Sequence, residues 1–254
     1  MKKLKRILYS QNFLHSQKLV KKLVGSSSIG KNDLVLEIGS GKGVITQELI
    51  KQGKTVVAVE IDPHWYKYLH NKFSNNTNLS LYYGDFLRLP LPKTPYKVFA
   101  NIPFSIEGKI IRKLIDANNP PEDCYLVVMK ELAYRLAAPY KENQFSISHK
   151  PWFELSIPYN FRREDFTPFS NVDVSMIRFK KREIPLLKWG DKQKYQLFIE
   201  KYFKYGLPVY KTMMIKYGKN KTYKVLKQVG INKDMKPSYL SLEQWIILYE
   251  TLIK

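Results

Sequence analysis

The residues that could do chemistry most directly are Asn101, Ile102, Pro103 and Phe104, which follow the apolar segment 97–100. A strand that ends in this way brings together a side-chain amide, a backbone carbonyl without a helical partner and an aromatic ring. The two carbonyl oxygens can accept both N–H groups of a nucleobase amine while Phe104 stacks on the base. Such bonds would orient the amine towards an electrophilic methyl group, with no need for a metal. The alternative for these four residues alone is an ordinary Asn-X-Pro turn.

A glycine-rich segment, residues 39–43 (Gly-Ser-Gly-Lys-Gly), lies between a predicted strand over 33–38 and a predicted helix from Val44. This order is typical of the nucleotide-binding start of a doubly wound sheet. Glu60 ends the next predicted strand, where its carboxylate can accept hydrogen bonds from both ribose hydroxyls. Val44 occupies the third glycine position of the dinucleotide fingerprint, which argues against a nicotinamide-dependent dehydrogenase. A glycine turn without a ligand is the other alternative.

A second acidic residue, Asp85, follows the predicted strand 79–83 and has Phe86 beside it. Its carboxylate can accept a hydrogen bond from an adenine amine, although a Gly-Asp pair alone is usually just a turn. Ligands of parallel sheets bind outside the carboxyl ends of the strands. Glu60, Asp85 and Asn101 each end a strand, so the sequence predicts a cofactor site and an amine pocket that face each other.

These elements predict an α/β fold of the Rossmann-like class: a mostly parallel seven-stranded sheet with a terminal antiparallel hairpin, built from strands near 153–157 and 174–179. From residue 180 the composition changes, because residues 180–254 hold 17 Lys or Arg and 6 Asp or Glu. We expect a catalytic domain over 1–182 and a small, basic, all-α domain over 183–254. The second would clamp phosphates, although a solvated helical cap is the alternative.

The overall charge of +21 points to a polyanionic partner, and nucleic acid suits the interleaved aromatic residues better than a membrane does. A lysine-rich composition of the genome is the alternative explanation. No apolar run approaches the roughly 18 residues of a membrane span. The single cysteine, Cys124, excludes an intrachain disulfide and is expected in the core. We expect a cytoplasmic monomer that needs neither a membrane nor a metal.

The N-terminal residues 1–32 contain eight Lys or Arg and no acidic residue, which predicts a basic arm. The spacing of Leu19, Val20, Leu23 and Val24 predicts a helix in this arm. Gln11 and Asn12 precede that helix and could cap it or contact a ligand, with capping favoured by the residues alone.

Together these motifs resemble the rRNA adenine N6-dimethyltransferases, and among them the Erm enzymes. The similarity covers nearly the whole chain and is carried by Gln11-Asn12-Phe13-Leu14, Glu37-Ile38-Gly39-Ser40-Gly41-Lys42-Gly43, Glu60-Ile61-Asp62, Gly84-Asp85-Phe86 and Asn101-Ile102-Pro103-Phe104. The tail segments 229–232 and 242–245 also resemble those of Erm proteins. Ser170 departs from the family pattern, because it replaces the second proline of the segment that begins at Phe166.

The resemblance implies S-adenosylmethionine as cofactor and methylation of N6 of one adenosine in 23S rRNA, which gives resistance to macrolide, lincosamide and streptogramin B antibiotics. The predicted cofactor site comprises Asn12, Leu14, Gly39, Gly41, Glu60, Ile61, Asp85, Phe86 and Asn101. Phe104 and Phe166 would hold the flipped base, and Arg112, Arg135 and Arg163 would contact the RNA. The partner is then 23S rRNA or a large-subunit precursor.

Two other functions remain open from the sequence. The small-subunit (16S) rRNA adenine dimethyltransferase shares this fold and chemistry, but typically has Leu-Pro-Tyr where this chain has Ile102-Pro103-Phe104. A non-catalytic nucleic-acid-binding protein could also keep the charge on a methyltransferase scaffold. Asn12, Glu60, Asp85 and Asn101 argue against that loss of function, because a protein that binds no cofactor does not need them.

Overall fold

A seven-stranded sheet forms the centre of the computed structural model, which describes residues 12–253. Its strand order is β4-β3-β2-β5-β6-β9-β7. These strands are β2 Leu34–Ile38, β3 Thr55–Glu60, β4 Leu79–Tyr83, β5 Lys97–Asn101, β6 Asp123–Met129, β7 Phe153–Asn160 and β9 Val174–Lys181. Strands β2 to β6 pair in parallel, and β9 runs antiparallel to β6. The predicted mostly parallel sheet with a hairpin at its end is therefore confirmed.

Nine α-helices lie within the described part of the chain. They are α1 Gln17–Gly25, α2 Val44–Gln52, α3 Pro63–Lys72, α4 Glu107–Ile115, α5 Lys130–Ala137, α6 Gln144–His149, α7 Lys192–Phe203, α8 Val209–Val229 and α9 Leu242–Ile253. None of these helices is both long and apolar enough to cross a bilayer.

The central strands are apolar on both faces, as expected of a parallel sheet covered by helices. Strand β6 is buried over six of its seven residues, and Cys124 lies fully buried within it, as predicted. Backbone hydrogen bonds join neighbouring strand ends at the carboxyl edge of the sheet. The N–H of Gly39 donates to Val59 O at 2.8 Å, and the N–H of Gly84 donates to Glu60 O at 2.9 Å. The residues that follow β2, β3 and β4 are therefore held at one edge.

The chain forms two compact units. The described part of the first covers residues 12–133 and 157–181, and that of the second covers residues 134–156 and 182–253. The second unit is mostly helical and has an aromatic core that includes Trp152, Tyr195, Trp245 and Tyr249, each at most 1% exposed. The predicted helical C-terminal region is confirmed, and the division at residue 182 and the roles of the two domains remain predictions.

The tail segments that resemble Erm proteins have a structural role in the second unit. Gly230 adopts a left-handed conformation with φ 69° and ends α8. Gln244 reaches back from α9 and donates to Val229 O and Gly230 O at 3.3 Å each. The similarity of the tail therefore reflects how α8 and α9 are joined.

Several elements differ from the sequence predictions. Helix α6 and the long helix α8 were not predicted, and α8 bends at Gly218, whose φ is 72°. Ser16, rather than Asn12, caps α1, because its Oγ accepts the N–H of Leu19 at 3.2 Å. The capping role favoured for Asn12 is therefore wrong. Gln11, like the basic residues Lys2, Lys3, Lys5 and Arg6 of the N-terminal arm, lies outside the described residues.

An unpredicted two-stranded sheet connects the N-terminal segment to a distant loop. Strand β1 Phe13–Leu14 pairs antiparallel with β8 Phe166–Thr167, placing Leu14 opposite Phe166. A pairing across about 150 residues leaves no trace in local periodicity, so the sequence predicted only a loop over 162–169. This sheet fixes where the segment 12–14 enters the first unit.

Candidate active site and cofactor cleft

The turn after β2 is shaped by glycines in a backbone conformation that other residues rarely adopt. Gly39, Gly41 and Gly43 have φ angles of 73°, 50° and 74°. The N–H of Gly41 donates to Glu60 Oε2 at 2.8 Å. A Cβ atom added at Gly39 would lie 3.8 Å from Asn101 O and 3.9 Å from the Pro103 ring. Gly39 therefore keeps open the space between the glycine turn and the end of β5.

Glu60 is 1% exposed, and both of its carboxylate oxygens accept backbone hydrogen bonds. Besides Gly41, the N–H of Asp62 donates to Oε1 at 2.8 Å. Burial raises the pKa of Glu60, and the backbone N–H bonds counteract that rise. The backbone N–H of Ile61 also bonds to this carboxylate, so its orientation is fixed. Its remaining acceptor capacity suits the neighbouring hydroxyls of a ribose, as the sequence predicts.

Asn101 lies at the end of β5 with its amide orientation fixed. Its Nδ2 donates to Asn12 O at 2.7 Å, which leaves Oδ1 to accept a further hydrogen bond in the cavity that Asn101 lines. The carbonyl of Pro103 accepts the N–H of Ile106 at 3.1 Å and starts the 3-10 turn Phe104–Ile106. The carbonyl of Ile102 is then the backbone acceptor that remains beside the amide. These are the two acceptors that the sequence predicted for an amine, and that role stays a prediction.

The N-terminal segment closes over the glycine turn. A Cβ atom added at Gly41 would lie 2.5 Å from the ring of Phe13, so that ring packs directly on the glycine backbone. The sequence predicted no role for Phe13 beyond its place in a motif. Its position between Asn12 and Leu14, two predicted cofactor-binding residues, could have indicated one. Asn12, Phe13, Gly39, Gly41 and Glu60 share one cavity with Asn101 and Phe104.

A second cavity continues from this one around Gly39 and Pro103. It is lined by Ile61, Asp85 and Phe86. Asp85 Oδ1 accepts the N–H of Leu87 at 2.9 Å and begins a 3-10 turn over Phe86–Arg88. The acidic residues that end β3 and precede this turn therefore line one continuous cleft, at the edge predicted for the cofactor.

Lys113 binds the backbone of the 3-10 turn that begins at Asp85, which we call the Asp85 turn. Its Nζ donates to Phe86 O at 2.7 Å and also to Leu89 O, and it lies 4.8 Å from the centre of the Phe86 ring. Burial lowers the pKa of Lys113, and the Asp85 carboxylate acts in the opposite direction. No sequence motif indicated this role, because Lys113 is one of many lysines on amphipathic helices.

Some predicted site residues lie elsewhere. Leu14 is 4% exposed and Phe166 is fully buried, with its ring 5.5 Å from that of Phe161. Both belong to the core of the first unit, and neither is among the residues that line the two cavities. Their predicted roles stay predictions. Pairing of β1 with β8 explains this burial. The exposed aromatic residue of the same loop is Phe169, at 67% exposure.

The predicted RNA-binding arginines are exposed and line neither cavity. Arg112 and Arg163 belong to the first unit and Arg135 to the second. Arg163 pairs with Asp173 at 3.3 Å on the surface. Ser170, the departure from the family pattern, is buried, and its Oγ donates to Val172 O at 2.7 Å. The hydroxyl thus closes the loop locally where the pattern has a proline.

Glu37 is a buried acid beneath the glycine turn. It is 1% exposed, and the Thr46 hydroxyl donates to its Oε2 at 2.6 Å. Burial raises the pKa of Glu37 to about 7, against the lowering effect of the hydroxyl, and the Glu60 carboxylate adds to the rise. Within residues 12–253, no three histidine, cysteine or carboxylate side chains come together as a metal site.

The sequence matches the family described as ribosomal RNA adenine dimethylase over residues 2–254. The chain belongs to this family. An rRNA adenine N-6-methyltransferase of Limosilactobacillus reuteri is 32% identical over 97% of this chain and 96% of its own length. A ribosomal RNA small subunit methyltransferase A of Fusobacterium nucleatum is 29% identical, covering 94% of each. The crystal structure of the 23S rRNA methyltransferase ErmE is 27% identical, with a TM-score of 0.86, over 96% of this chain and 100% of that one.

Membership in the ribosomal RNA adenine dimethylase family confirms the predicted enzyme class, an S-adenosylmethionine-dependent rRNA adenine N6-methyltransferase. It also excludes the dehydrogenase alternative. The cleft fits the cofactor: Gly39 leaves space that a side chain would fill, Glu60 offers two oriented acceptors for a ribose, and Asp85 offers one for an adenine amine. These assignments of single residues remain proposals.

Replacing Lys113 by Met should weaken cofactor binding without changing the chemistry. The substitution keeps most of the side-chain volume but removes both hydrogen bonds that hold the Asp85 turn. We expect KM for S-adenosylmethionine to rise about 5- to 30-fold, the equivalent of roughly 1–2 kcal/mol, with kcat nearly unchanged. Lys113→Arg, which keeps the donors, should lie close to the wild type. An unaltered KM in Lys113→Met would contradict this positioning role.

Replacing Glu37 by Gln should remove a pH-dependent loss of stability. The folded state holds the Glu37 proton more tightly than the unfolded state does. Glu37 therefore stabilises the folded state most below its ordinary pKa of 4.5. This stabilisation is lost as the pH rises through about 7. We expect the wild type to lose at most about 3 kcal/mol of unfolding free energy through this group. Urea denaturation at pH 5 and pH 8 measures it. The stability of Glu37→Gln relative to the wild type should increase at pH 8.

Proposed function

We propose that this protein transfers methyl groups from S-adenosylmethionine to N6 of a single adenosine in 23S rRNA, and so confers resistance to macrolide, lincosamide and streptogramin B antibiotics. The observation that carries the proposed chemistry is the corner at the end of β5, where the hydrogen bond from Asn101 Nδ2 to Asn12 O turns Oδ1 towards the pocket. The enzyme would act in the cytoplasm as a monomer.

The corner recognises an exocyclic amine by its two N–H groups. Asn101 Oδ1 accepts one, and the carbonyl of Ile102 accepts the other. With both hydrogens held in this way, the nitrogen lone pair leaves conjugation with the base and points across the pocket. Pro103 fixes the backbone between the acceptors and the ring of Phe104, which stacks on the base. Orientation and electrostatics therefore supply the catalysis, without a side chain that removes a proton first.

S-adenosylmethionine, when bound, supplies a methyl group activated by the positive sulfonium. Asn101 and the Ile102 carbonyl would hold the amine so that its lone pair could accept that methyl group, with the positive charge passing from sulfur to nitrogen. The nitrogen is then cationic and acidic, so it loses a proton to water. Glu60 and Asp85 hold the ribose and the adenine of the cofactor. A second transfer requires the monomethylated amine to turn or to rebind in the same corner.

The target adenosine has to leave its stack to enter a pocket at a strand end. Phe104 is half-buried and packs against the core of the first unit, which gives the base a fixed surface to stack on. Phe166 would support this surface from within the core rather than touch the base. The exposed arginines Arg112, Arg135 and Arg163 are the proposed contacts to RNA phosphates, and the basic C-terminal helices would add to them.

Two observations favour the large subunit as the source of the RNA. The sequence at the corner is Ile-Pro-Phe, whereas the small-subunit relatives typically have Leu-Pro-Tyr. In addition, the chain overlaps the 23S rRNA methyltransferase ErmE over almost the full length of both, with a TM-score of 0.86. Methylation of 16S rRNA is the second candidate, favoured by the 29% identity to the small-subunit methyltransferase of Fusobacterium nucleatum.

Mapping the methylated base distinguishes these substrates. Protein-free 23S rRNA and immature small ribosomal subunits would be incubated separately with labelled S-adenosylmethionine, and the modified adenosine would be located by primer extension. We expect label at one adenosine of 23S rRNA and macrolide resistance in cells that express the protein. Label only in the small subunit would replace the proposal by the 16S activity. Cofactor binding without label in either RNA would support a non-catalytic role.

Replacing Asn101 by Ala should abolish methyl transfer while the protein remains folded. The substitution removes the amide that accepts one amine hydrogen and releases the carbonyl of Asn12. Loss of one such oriented hydrogen-bonding group costs about 100-fold or more in kcat. Circular dichroism and urea denaturation provide the control for folding, and kcat is measured at saturating RNA and cofactor. Normal turnover by Asn101→Ala would contradict the proposed mechanism.

A further inference from the structure

A strip of aromatic side chains runs out of the active-site cavity along α3. It consists of Phe13, Trp65 and Tyr68 and is flanked by Lys42 and Lys72. The rings of Phe13 and Trp65 are 5.4 Å apart between centroids, and those of Trp65 and Tyr68 are 5.8 Å apart, each pair edge to face. Phe13 also lines the cavity that holds Asn101 and Phe104. The aromatic strip is therefore continuous with the proposed reaction site.

Both lysines lie over the rings of the strip. Lys42 Nζ is 5.2 Å from the centre of the Phe13 ring and 6.0 Å from that of Trp65. Lys72 Nζ is 5.4 Å from the centre of the Tyr68 ring and donates to Lys42 O at 3.3 Å. Positive charge thus accompanies the rings from the glycine turn to the end of α3. Neither the three aromatic residues of the strip nor the two lysines that flank it carries a negative charge.

Packing of the fold does not require the ring of Tyr68. Leu69 is the single buried residue of α3, and Tyr68 points roughly 100° away from it around the helix axis. Tyr68 is 42% exposed, and Trp65 is half-buried. A polar side chain would serve folding equally well at Tyr68. Large exposed aromatic residues that adjoin one another are typical of surfaces that bind a partner.

We propose that the aromatic strip binds unpaired nucleotides that neighbour the target adenosine, with bases stacked on Trp65 and Tyr68 and phosphates beside Lys42 and Lys72. The proposal rests on the proposed function in one respect, that RNA enters the pocket at Asn101. Aromatic rings interleaved with cations are the surface that suits single-stranded nucleic acid, because every base has a face to stack and every phosphate a charge to pair. Duplex RNA, whose bases are already stacked, would not use the rings.

Trp65 and Phe13 have a second role, because they pack beside the glycine turn, and replacing either would disturb the cofactor cleft as well. Tyr68 is the informative position. It lies at the far end of the strip and lines neither cavity of the cleft, so a role limited to supporting the cofactor cleft predicts no effect on RNA.

The test measures binding of a fluorescein-labelled 12-nucleotide single-stranded RNA by anisotropy, with duplex RNA of the same length in parallel. Tyr68→Ala should weaken single-strand binding about five-fold or more, because stacking of one base contributes at least ~1 kcal/mol. Tyr68→Phe keeps the ring and should bind like the wild type. KM for S-adenosylmethionine and the affinity for duplex RNA should remain unchanged in both variants.

Tyr82→Ala is the matched control. Tyr82 is 51% exposed, and it precedes Tyr83, whose ring contacts Tyr66 of α3 at 5.3 Å between centroids. Because neighbouring residues of a strand point to opposite faces, Tyr82 lies on the face away from the strip and should not matter for RNA.

The proposal is overturned if the wild type fails to bind the single strand, if Tyr68→Ala binds it normally, or if Tyr82→Ala weakens binding equally. The oligonucleotide is not methylated in this assay. The result is thus independent of whether 23S rRNA proves to be the substrate.

Discussion

The hydrogen bond from the Gly41 N–H to the Glu60 carboxylate is the constraint on which the site depends. This hydrogen bond joins the turn after β2 to the end of β3. Gly41 has a left-handed backbone conformation and lies directly beneath the Phe13 ring, so only a residue without a side chain fits there. The ring brings Asn12 over the turn, and the carbonyl of Asn12 orients the Asn101 amide. The proposed ribose site and the proposed amine site are thus parts of one chain of contacts.

The cleft of the first unit contains several acidic residues, although the whole protein is strongly basic. The chain carries +21 overall, yet Glu37 and Glu60 lie buried close together beneath the glycine turn, and Glu60 raises the pKa of Glu37. Asp85 adds a third carboxylate to the same cleft. A cationic sulfonium cofactor would therefore meet a cleft with acidic residues in a chain that is basic overall.

The sequence allowed most of the site to be predicted, because each motif is local to a strand end and parallel strands bring their ends to one edge. Gly39, Glu60, Asp85 and Asn101 could be assigned to one cleft without knowing a single long-range contact. The burial of Phe166 could not be predicted, since it results from pairing with Leu14 across the chain. Lys113 was missed because its function depends on which carbonyls it reaches, and helical periodicity shows only that it lies beside an apolar face.

The contact between Asn12 and Asn101 has a consequence for how two methyl groups are added. The segment that orients the Asn101 amide also covers the glycine turn, so the entry of fresh cofactor and the readiness of the amide are mechanically linked. We expect a movement of residues 12–14 that admits a new cofactor to break the hydrogen bond that orients the Asn101 amide as well. Two methyl transfers would then be separate encounters with the RNA, as in a distributive enzyme.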